Sequence, residues 1–247
     1  MSEEKPPRKH IPAPQDKKVY VEQMFTAIAP TYDLLNRILS FGRDERWRRQ
    51  AAQYCQADTG LVLDVATGTG KMASILAKRP GVQKVVGLDF TAAMLVQAKA
   101  MLAKQKRNIT INLIQGDAQN LPFPDATFDC VTITYALRNV TDITKTFAEM
   151  TRVVRPSGRV ISLELTRPSQ GLFQKLYYFY MHRIAPVLGG LISHRREAYK
   201  YLPDSIMIFH TPQEIKAIME KVGLEGVVIQ SLLGGAATIQ IGTRTLI

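Results

Sequence analysis

Residues 61–70 read LVLDVATGTG and decide how this chain folds. A short apolar run that continues into a glycine-rich turn and then a helical pattern is typical of a buried parallel strand beside a ligand. Gly68 and Gly70 let the backbone approach that ligand closely, and the first amide groups of the next helix are free to receive polar groups. The following apolar run, VVGLDF, ends at Asp89. Together the two runs predict strands whose carboxyl ends border a binding site.

The chain alternates between strand and helix patterns from residue 60 onward. Strands are predicted at 61–66, 84–89, 109–115, 128–134 and 158–165, and then near 225–232 and 236–242. Helices are predicted at 71–79, 91–106, 141–154 and 212–222. Gly234 and Gly235 predict a hairpin turn between the last two strands. This order predicts an α/β fold with a doubly wound, mostly parallel sheet and a ligand beyond the carboxyl ends of its strands.

Three further segments complete the predicted organisation. Residues 1–17, rich in proline and lysine, predict a disordered basic tail. Residues 18–58 predict a helical collar in which arginines surround Trp47, namely Arg43, Arg46, Arg48 and Arg49. The collar is either a solvated helical face around a buried tryptophan or an entrance that contacts lipid headgroups or an acidic substrate. Residues 167–210 are aromatic but too polar to span a bilayer, which predicts a helical lid inserted into a single domain of residues 18–247.

Composition limits the classes of protein to consider. The chain has 247 residues, of which 46% are apolar, and this suffices for one α/β domain. A net charge of +11 favours contact with nucleic acid or an anionic membrane. The apolar pattern contains neither a secretory signal nor a membrane span, so we expect a cytoplasmic protein. Cys55 and Cys130 belong to no metal-ligand pattern, which predicts two buried thiols and neither a disulfide nor a metal site.

The glycine-rich turn suits two nucleotide-like cofactors, and Asp64 discriminates between them. A dinucleotide would place its pyrophosphate at this turn, where the carboxylate of Asp64 would repel it. S-adenosylmethionine carries an ammonium and a sulfonium, which the same carboxylate attracts. Asp89 has two acceptor oxygens for the hydroxyls of a ribose, although it could instead only cap the helix that follows. Asp117 ends the third strand region, where it can receive the amino group of adenine beside the Ala118 amide.

Longer motifs extend over nearly the whole chain after the tail. Among them are YDLLNRILSFG at 32–42, ALRNVTD at 136–142 and YKYLPDSIMIF at 199–209. By these motifs the chain resembles the menaquinone and ubiquinone biosynthesis C-methyltransferases, the bacterial demethylmenaquinone methyltransferases in particular. The resemblance implies a class I S-adenosylmethionine-dependent methyltransferase (Rossmann-like) fold, S-adenosylmethionine as donor and a prenylated hydroquinone as acceptor. The chain departs from the family pattern near the expected substrate, at Lys71, Ala136 and the FHT that ends at residue 211.

The family's cofactor contacts correspond to Thr69, Asp89, Asp117, Ala118 and Thr134, which join Asp64, Gly68 and Gly70. Methylation of a ring carbon requires a phenol to lose its proton, and the pKa of an isolated phenol is about 10. Arg138 could stabilise the phenolate or hold a water that takes the proton, and Asn139 could orient the ring oxygen. Alternatively, Arg138 pairs with Asp142 and only shapes its loop. Further substrate candidates, each of which could equally serve packing or capping, are Tyr32, Asp33, Asn36, Tyr201 and His210.

The expected function is methylation of demethylmenaquinol to menaquinol, the last step of menaquinone biosynthesis. The alternatives are methylation of a benzoquinol in ubiquinone biosynthesis, activity on both rings, methylation of RNA or another small molecule, and a binding protein without catalysis. The aromatic run LYYFYM at 176–181 predicts core packing together with part of a channel for the prenyl tail. We expect peripheral contact with an anionic membrane at the inner face of the cell and no nucleic-acid partner. A monomer and a homodimer are both compatible with the sequence.

Overall fold

A seven-stranded sheet organises the computed structural model of the protein, which describes residues 11–56, 60–105, 109–168, 171–193 and 195–245. The strands are β1 (Leu61–Val65), β2 (Lys84–Asp89), β3 (Thr110–Gln115), β4 (Phe128–Thr134), β5 (Val154–Leu165), β6 (Leu224–Leu232) and β7 (Ala237–Arg244). Their order is β3-β2-β1-β4-β5-β7-β6, and only β7 runs antiparallel to its neighbours within this sheet. The chain order reverses between β1 and β4, which is the switch point where such sheets bind ligands. The predicted doubly wound, mostly parallel sheet is confirmed.

Both faces of the sheet are buried, which explains the continuous apolar runs of its central strands. Leu63 and Val65 of β1 belong to one apolar cluster with Phe147, whereas Val62 belongs to a second cluster with Met72. Alternate residues of a strand point to opposite faces, so the two clusters lie on the two sides of the sheet. The helices that flank these strands in the chain are α4 (Lys71–Leu76), α5 (Ala92–Ala103), α6 (Ile143–Val153) and α10 (Pro212–Lys221).

The collar consists of three helices, α1 (Lys17–Ile28), α2 (Tyr32–Leu39) and α3 (Arg43–Ala52). Leu35 of α2 is fully buried and packs with Ile28 and Tyr199, which ties the collar to the lid segment. Trp47 is buried, as one interpretation of the sequence expected. Arg48 beside it is also buried, at 5% exposure, so the four arginines do not form one exposed basic patch.

The predicted tail lies mostly outside the described residues, since the description begins at residue 11. Residues 14–16 form a turn, and α1 begins at Lys17. Helices also form the lid, as α7 (Leu172–Phe179), a π-helical turn (Tyr180–Ile184), α8 (Ala185–Ser193) and α9 (Arg196–Ile208). The Tyr180 hydroxyl donates to the Leu39 carbonyl at 3.0 Å and joins lid to collar. Within the described ranges, no helix is long and apolar enough to cross a membrane.

The prediction of two free thiols is wrong, because a disulfide joins Cys55 to Cys130. Cys55 follows α3 and Cys130 lies in β4, and packing of the collar against the sheet brings their Cα atoms to 6.0 Å. A separation of 75 residues leaves no local pattern from which this pair could have been inferred. Among the residues that the structure describes, no group of three or more His, Cys, Asp or Glu side chains is arranged to hold a metal ion.

Candidate functional site

Two cavities meet above the carboxyl ends of β1, β2 and β4. The strand-end cavity, of about 80 Å³, lies between α1 and the sheet and includes Gly68, Asp89, Asp117, Ala118, Thr134 and Asn139 in its lining. The helical cavity, of about 420 Å³, lies between collar and lid and includes Asn36, Asp44, Trp47, Arg48, Arg138 and Tyr177 in its lining. Tyr32 and Tyr135 line both cavities and therefore lie at the border between them.

Asp89 ends β2 with its carboxylate turned toward the glycine-rich turn. One oxygen accepts from the Gly68 amide at 2.8 Å, and the other accepts from the Thr91 amide at 2.9 Å. Burial raises the pKa of Asp89, and these amide donors counter the rise by stabilising the charged form. Each carboxylate oxygen keeps a second acceptor site, which can receive a hydroxyl from a ligand in the cavity. Asp89 therefore holds the residue that precedes α5 and keeps acceptor sites available to a ribose.

Asp117 accepts a hydrogen bond from the collar. Lys18 of α1 donates to one carboxylate oxygen at 2.6 Å, and the Gln119 amide donates to the other at 2.9 Å. Burial alone would raise the pKa of Asp117, but these donors hold it below its ordinary value. Ala118, with its amide beside the carboxylate, is nearly buried in the same cavity. The acceptor expected for adenine is thus engaged by a lysine from α1.

Three residues expected at the cofactor do not line the strand-end cavity. Asp64 is fully buried, and it accepts from the hydroxyls of Thr67 at 2.6 Å and Thr132 at 2.8 Å. Burial raises its pKa to about 6, against the opposing effect of these hydrogen bonds. Thr69 donates instead to Asp33 at 2.7 Å. Gly70 immediately precedes α4, and its φ of 79° is a left-handed conformation. It therefore shapes the glycine-rich turn without lining the cavity.

The strand-end cavity nevertheless has the chemistry that an adenine nucleoside requires. Ala66 and Tyr135, at the ends of β1 and β4, both adopt positive φ values, of 52° and 58°, a strained conformation that is typical of functional sites. A Cβ at Gly68 would meet no atom within 4 Å, so the turn leaves open space toward a ligand. Asp89 can accept from a diol, and Asp117 can accept from an amino group. The cavity, of about 80 Å³, is bordered on one side by α1, which contributes Lys18, Val21 and Phe25 to its lining.

Arg138 projects from the loop after β4 into the helical cavity. Its Nε donates to Glu164 Oε1 at 2.9 Å, and its Nη1 lies 3.4 Å from the Ser205 hydroxyl. Burial would lower the pKa of Arg138, but Glu164 and the neighbouring tyrosines raise it, which keeps the guanidinium charged. Asp142, the partner considered from sequence, instead caps α6 by accepting from the Lys145 amide at 2.8 Å. The alternative in which Arg138 pairs with Asp142 is therefore wrong, because the partner of Arg138 is Glu164.

Glu164 is the buried partner of Arg138, and sequence reasoning missed it. It lies near the end of β5 with its side chain 1% exposed, and its carboxylate also accepts from the Arg138 amide and the Leu165 amide. A single carboxylate within the apolar run VISLEL was the available signal, because an isolated buried charge requires a partner. Its role is to orient and balance Arg138.

The remaining candidates divide between the two cavities and the surface. Tyr32 and Asn36 of α2, two of the predicted substrate contacts, line the helical cavity. Asn139 lines the strand-end cavity, and its Oδ1 accepts from the Tyr201 hydroxyl at 3.1 Å. Tyr201 is buried behind Asn139, and burial raises its pKa to about 12. It therefore positions Asn139 rather than contacting the ring of a substrate. His210 is not brought to either of these cavities and lies at the surface, 3.6 Å from Glu214.

Comparisons with known proteins identify the family and the fold. Residues 13–244 match the model of the ubiE/COQ5 methyltransferase family. The chain is 42% identical to a ubiquinone/menaquinone biosynthesis C-methyltransferase of Geobacter sulfurreducens, over 94% of this chain and 91% of that protein. It is 43% identical to a demethylmenaquinone methyltransferase of Thermus thermophilus, over 90% of this chain and all of that protein. A solved SAM-dependent methyltransferase of Thermotoga maritima superposes with a TM-score of 0.63 at 19% identity, covering 90% of this chain and all of the other, and shows the shared fold.

Proposed function

The chain belongs to the ubiE/COQ5 methyltransferase family, and from this premise we propose that it methylates a ring carbon of a prenylated hydroquinone. It is an S-adenosylmethionine-dependent methyltransferase of class I fold. Demethylmenaquinol is the acceptor we propose, since relatives that are 38–44% identical to the chain are named demethylmenaquinone methyltransferases. A benzoquinol is the alternative acceptor, because other relatives are named for both quinones.

One observation carries this proposal. The helical cavity is large, mainly apolar and flanked by aromatic rings, yet it contains a buried guanidinium from Arg138. It adjoins the strand-end cavity, with which it shares Tyr32 and Tyr135. A flat apolar ring with a polar oxygen fits such a cavity, whereas RNA would require an open basic surface with stacking residues. A neutral phenol can enter and then give its proton to a water held beside the fixed cation.

The cofactor would be held by the strand-end residues. Asp89 would accept the two ribose hydroxyls, and Asp117 with the Ala118 amide would bind the adenine edge. When bound, S-adenosylmethionine supplies a methyl group on a sulfonium. The sulfur keeps the electron pair of the broken C–S bond and leaves as a neutral thioether. Lys18 donates to the same carboxylate, so its ammonium competes with the adenine amino group for Asp117.

Arg138 supports the chemical step by holding negative charge on the ring oxygen. An unperturbed phenol has a pKa of about 10, and a nearby guanidinium lowers the cost of its deprotonation. The phenolate pushes electron density onto the adjacent ring carbon, which forms the new C–C bond to the methyl group. The proton on that carbon then leaves to water, and the aromatic ring is restored. Glu164 stays bonded to Arg138 throughout and keeps the guanidinium aimed at the oxygen.

The same cavity suggests how a lipid-like substrate arrives. Leu172, Leu176 and Phe179 of α7 are 74%, 57% and 61% exposed and recur at the spacing of one helical face. Phe41, 72% exposed, lies against the Tyr180 ring at the rim of the helical cavity. An exposed apolar stripe on a chain with a net charge of +11 suits peripheral contact with an anionic membrane at the inner face of the cell. Flotation with anionic vesicles should show salt-sensitive binding that Leu176→Ser and Phe179→Ser weaken.

The decisive experiment measures transfer of labelled methyl groups to short-chain demethylmenaquinol, with the equivalent benzoquinol and bulk RNA in parallel. Label on the naphthoquinol alone establishes demethylmenaquinol as the acceptor. Label on both quinols establishes dual specificity. Label on RNA alone, or on no acceptor while S-adenosylmethionine still binds, contradicts the proposed substrate and leaves the fold and family assignment in place.

A further inference from the structure

Arg48 is a second buried cation in the helical cavity, and the reaction described so far does not use it. Its Nη1 donates to Asp44 Oδ2 at 2.7 Å, across one turn of α3. Both side chains are 6% exposed. Ser40 donates to the other oxygen of Asp44 at 3.0 Å, and its own hydroxyl oxygen accepts from the Asp44 amide. The guanidinium is therefore held in a fixed orientation.

Stability alone does not account for this pair. Replacing a buried ion pair with apolar residues is often neutral or stabilising, because the desolvation of two charges offsets their attraction. The neighbouring Arg49 forms the same kind of contact with Glu45, also four residues apart, but those side chains are 67% and 54% exposed. Helix α3 thus has an exposed pair that obeys ordinary surface rules and a buried pair that faces a cavity.

Arg48 also has donors left for a ligand. A guanidinium carries five N–H groups, and within the described residues Asp44 receives the hydrogen bond that Arg48 makes. The Arg48 Cζ lies 4.7 Å from the centroid of the Tyr135 ring, which lines both cavities. Tyr32 also lines both cavities; burial raises its pKa, and Arg48 and Arg138 both act against the rise. Two cations from separate elements therefore line the same cavity beside Tyr32.

We propose that Arg48, oriented by Asp44 and Ser40, binds the second oxygen of the hydroquinone ring and so fixes which ring carbon faces the methyl donor. This inference rests on the proposed function. A hydroquinone carries one oxygen beside the carbon to be methylated and one across the ring, beside the carbon that bears the prenyl group. Arg138 alone would hold one oxygen and leave the ring free to turn about it. A second fixed donor at the other oxygen removes that freedom.

The test couples a change in the protein to a change in the substrate. The variant is Asp44→Asn/Arg48→Met, which removes both charges and leaves no unpaired carboxylate. The matched control is Glu45→Gln/Arg49→Met, which makes the same charge change on the exposed side of α3. The substrates are short-chain demethylmenaquinol and an analogue in which hydrogen replaces the hydroxyl beside the prenyl-bearing carbon. The lower intrinsic reactivity of the analogue cancels in this double comparison.

For demethylmenaquinol, the variant should lose roughly 10- to 100-fold in kcat/KM, the range expected for a hydrogen bond to a charged group. For the analogue, the kcat/KM of the variant should stay near that of the wild-type protein. The control should match wild type on both substrates. Equal losses on the two substrates, or the same loss in the control, would overturn the assignment.

Binding without turnover supplies an independent measure. Trp47 is the single tryptophan of the chain and lines the helical cavity beside Arg48, so its fluorescence should report ring binding. The variant should bind demethylmenaquinol about tenfold more weakly and the analogue unchanged, with S-adenosylmethionine affinity unaltered by calorimetry. Unchanged quinol affinity would overturn the inference. If wild type methylates neither ring, the proposed function is wrong, and this titration alone decides whether Arg48 recognises a second ring hydroxyl.

Discussion

Replacing Asp64 with asparagine should stabilise the protein at neutral pH. Asp64 is fully buried, and burial raises its pKa from 3.8 to about 6 despite the hydrogen bonds from Thr67 and Thr132. The difference is roughly 2 pKa units, and at about 1.4 kcal/mol per unit it corresponds to about 3 kcal/mol of unfavourable free energy in the charged state. Asparagine is neutral, and the two threonine hydroxyls can still bond with its amide.

The pH dependence follows from the sign of the shift. Because the pKa is raised, the folded protein holds this proton more tightly than the unfolded chain does. The contribution of Asp64 to stability is therefore fully present below about pH 4 and is lost as pH rises through about 6. The gain from Asp64→Asn should be near zero at pH 4 and should reach about 3 kcal/mol at pH 7.5.

Urea denaturation of both proteins at several pH values between 4 and 7.5 measures this difference. Asp142→Asn is the control, since Asp142 caps α6 at the surface and asparagine caps equally well. A stability difference independent of pH, or a loss of stability at pH 7.5, would refute the reasoning. Calorimetry tests the functional half, because a buried negative charge at the turn should favour a cationic cofactor. S-adenosylmethionine should bind Asp64→Asn more weakly, and unchanged affinity would remove Asp64 from the cofactor-binding residues.

Three further substitutions test other contacts. Glu164→Gln should reduce kcat and destabilise the fold by roughly 3–5 kcal/mol in chemical denaturation, because it leaves Arg138 charged and unpaired in a buried position; wild-type stability would show that the pair is dispensable. Lys18→Gln should raise S-adenosylmethionine affinity severalfold at low salt, because Asp117 is released; weaker binding in calorimetry would mean that Lys18 holds the cofactor instead. Thr211→Ala removes the capping box of α10 and should lower stability by about 1 kcal/mol with normal turnover, which thermal melts and the methyl-transfer assay check.

The sheet could be predicted from sequence because each strand carries its own local signal. The apolar run at 61–65 and the run that ends at Asp89 are continuous because both faces of the sheet are covered, and the intervening helices follow from alternation. The predicted bounds of β4 match the structure at both ends. Thr134 and Ala118 line the strand-end cavity, and their positions follow directly from where strands end.

What failed depends on contacts between distant segments. The partner of Arg138 is Glu164 on another strand, and the sequence suggested Asp142 because that residue is near in the chain. Lys18 reaches Asp117 across 99 residues, which no periodicity could reveal. Arg48 was grouped with exposed arginines because its helix reads as uniformly charged, and only the packing of collar against lid shows that it faces inward.

Both cations of the helical cavity are arginines, which suits the neutral substrate and the roles proposed above for Arg138 and Arg48. Each guanidinium is balanced by a carboxylate, at 2.9 Å for Arg138 and 2.7 Å for Arg48, so the cavity presents no net charge from these pairs to an apolar ring. A lysine buried to the same degree would tend to lose its proton, because burial disfavours the charged form. For Arg138 and Arg48, burial acts in the same direction, yet the neighbouring carboxylates and tyrosines raise both pKa values. The cations therefore stay charged while the ring enters neutral, and their attraction increases only when the phenol ionises. Stabilisation that grows with the charge of the reacting oxygen favours the transition state over the bound substrate.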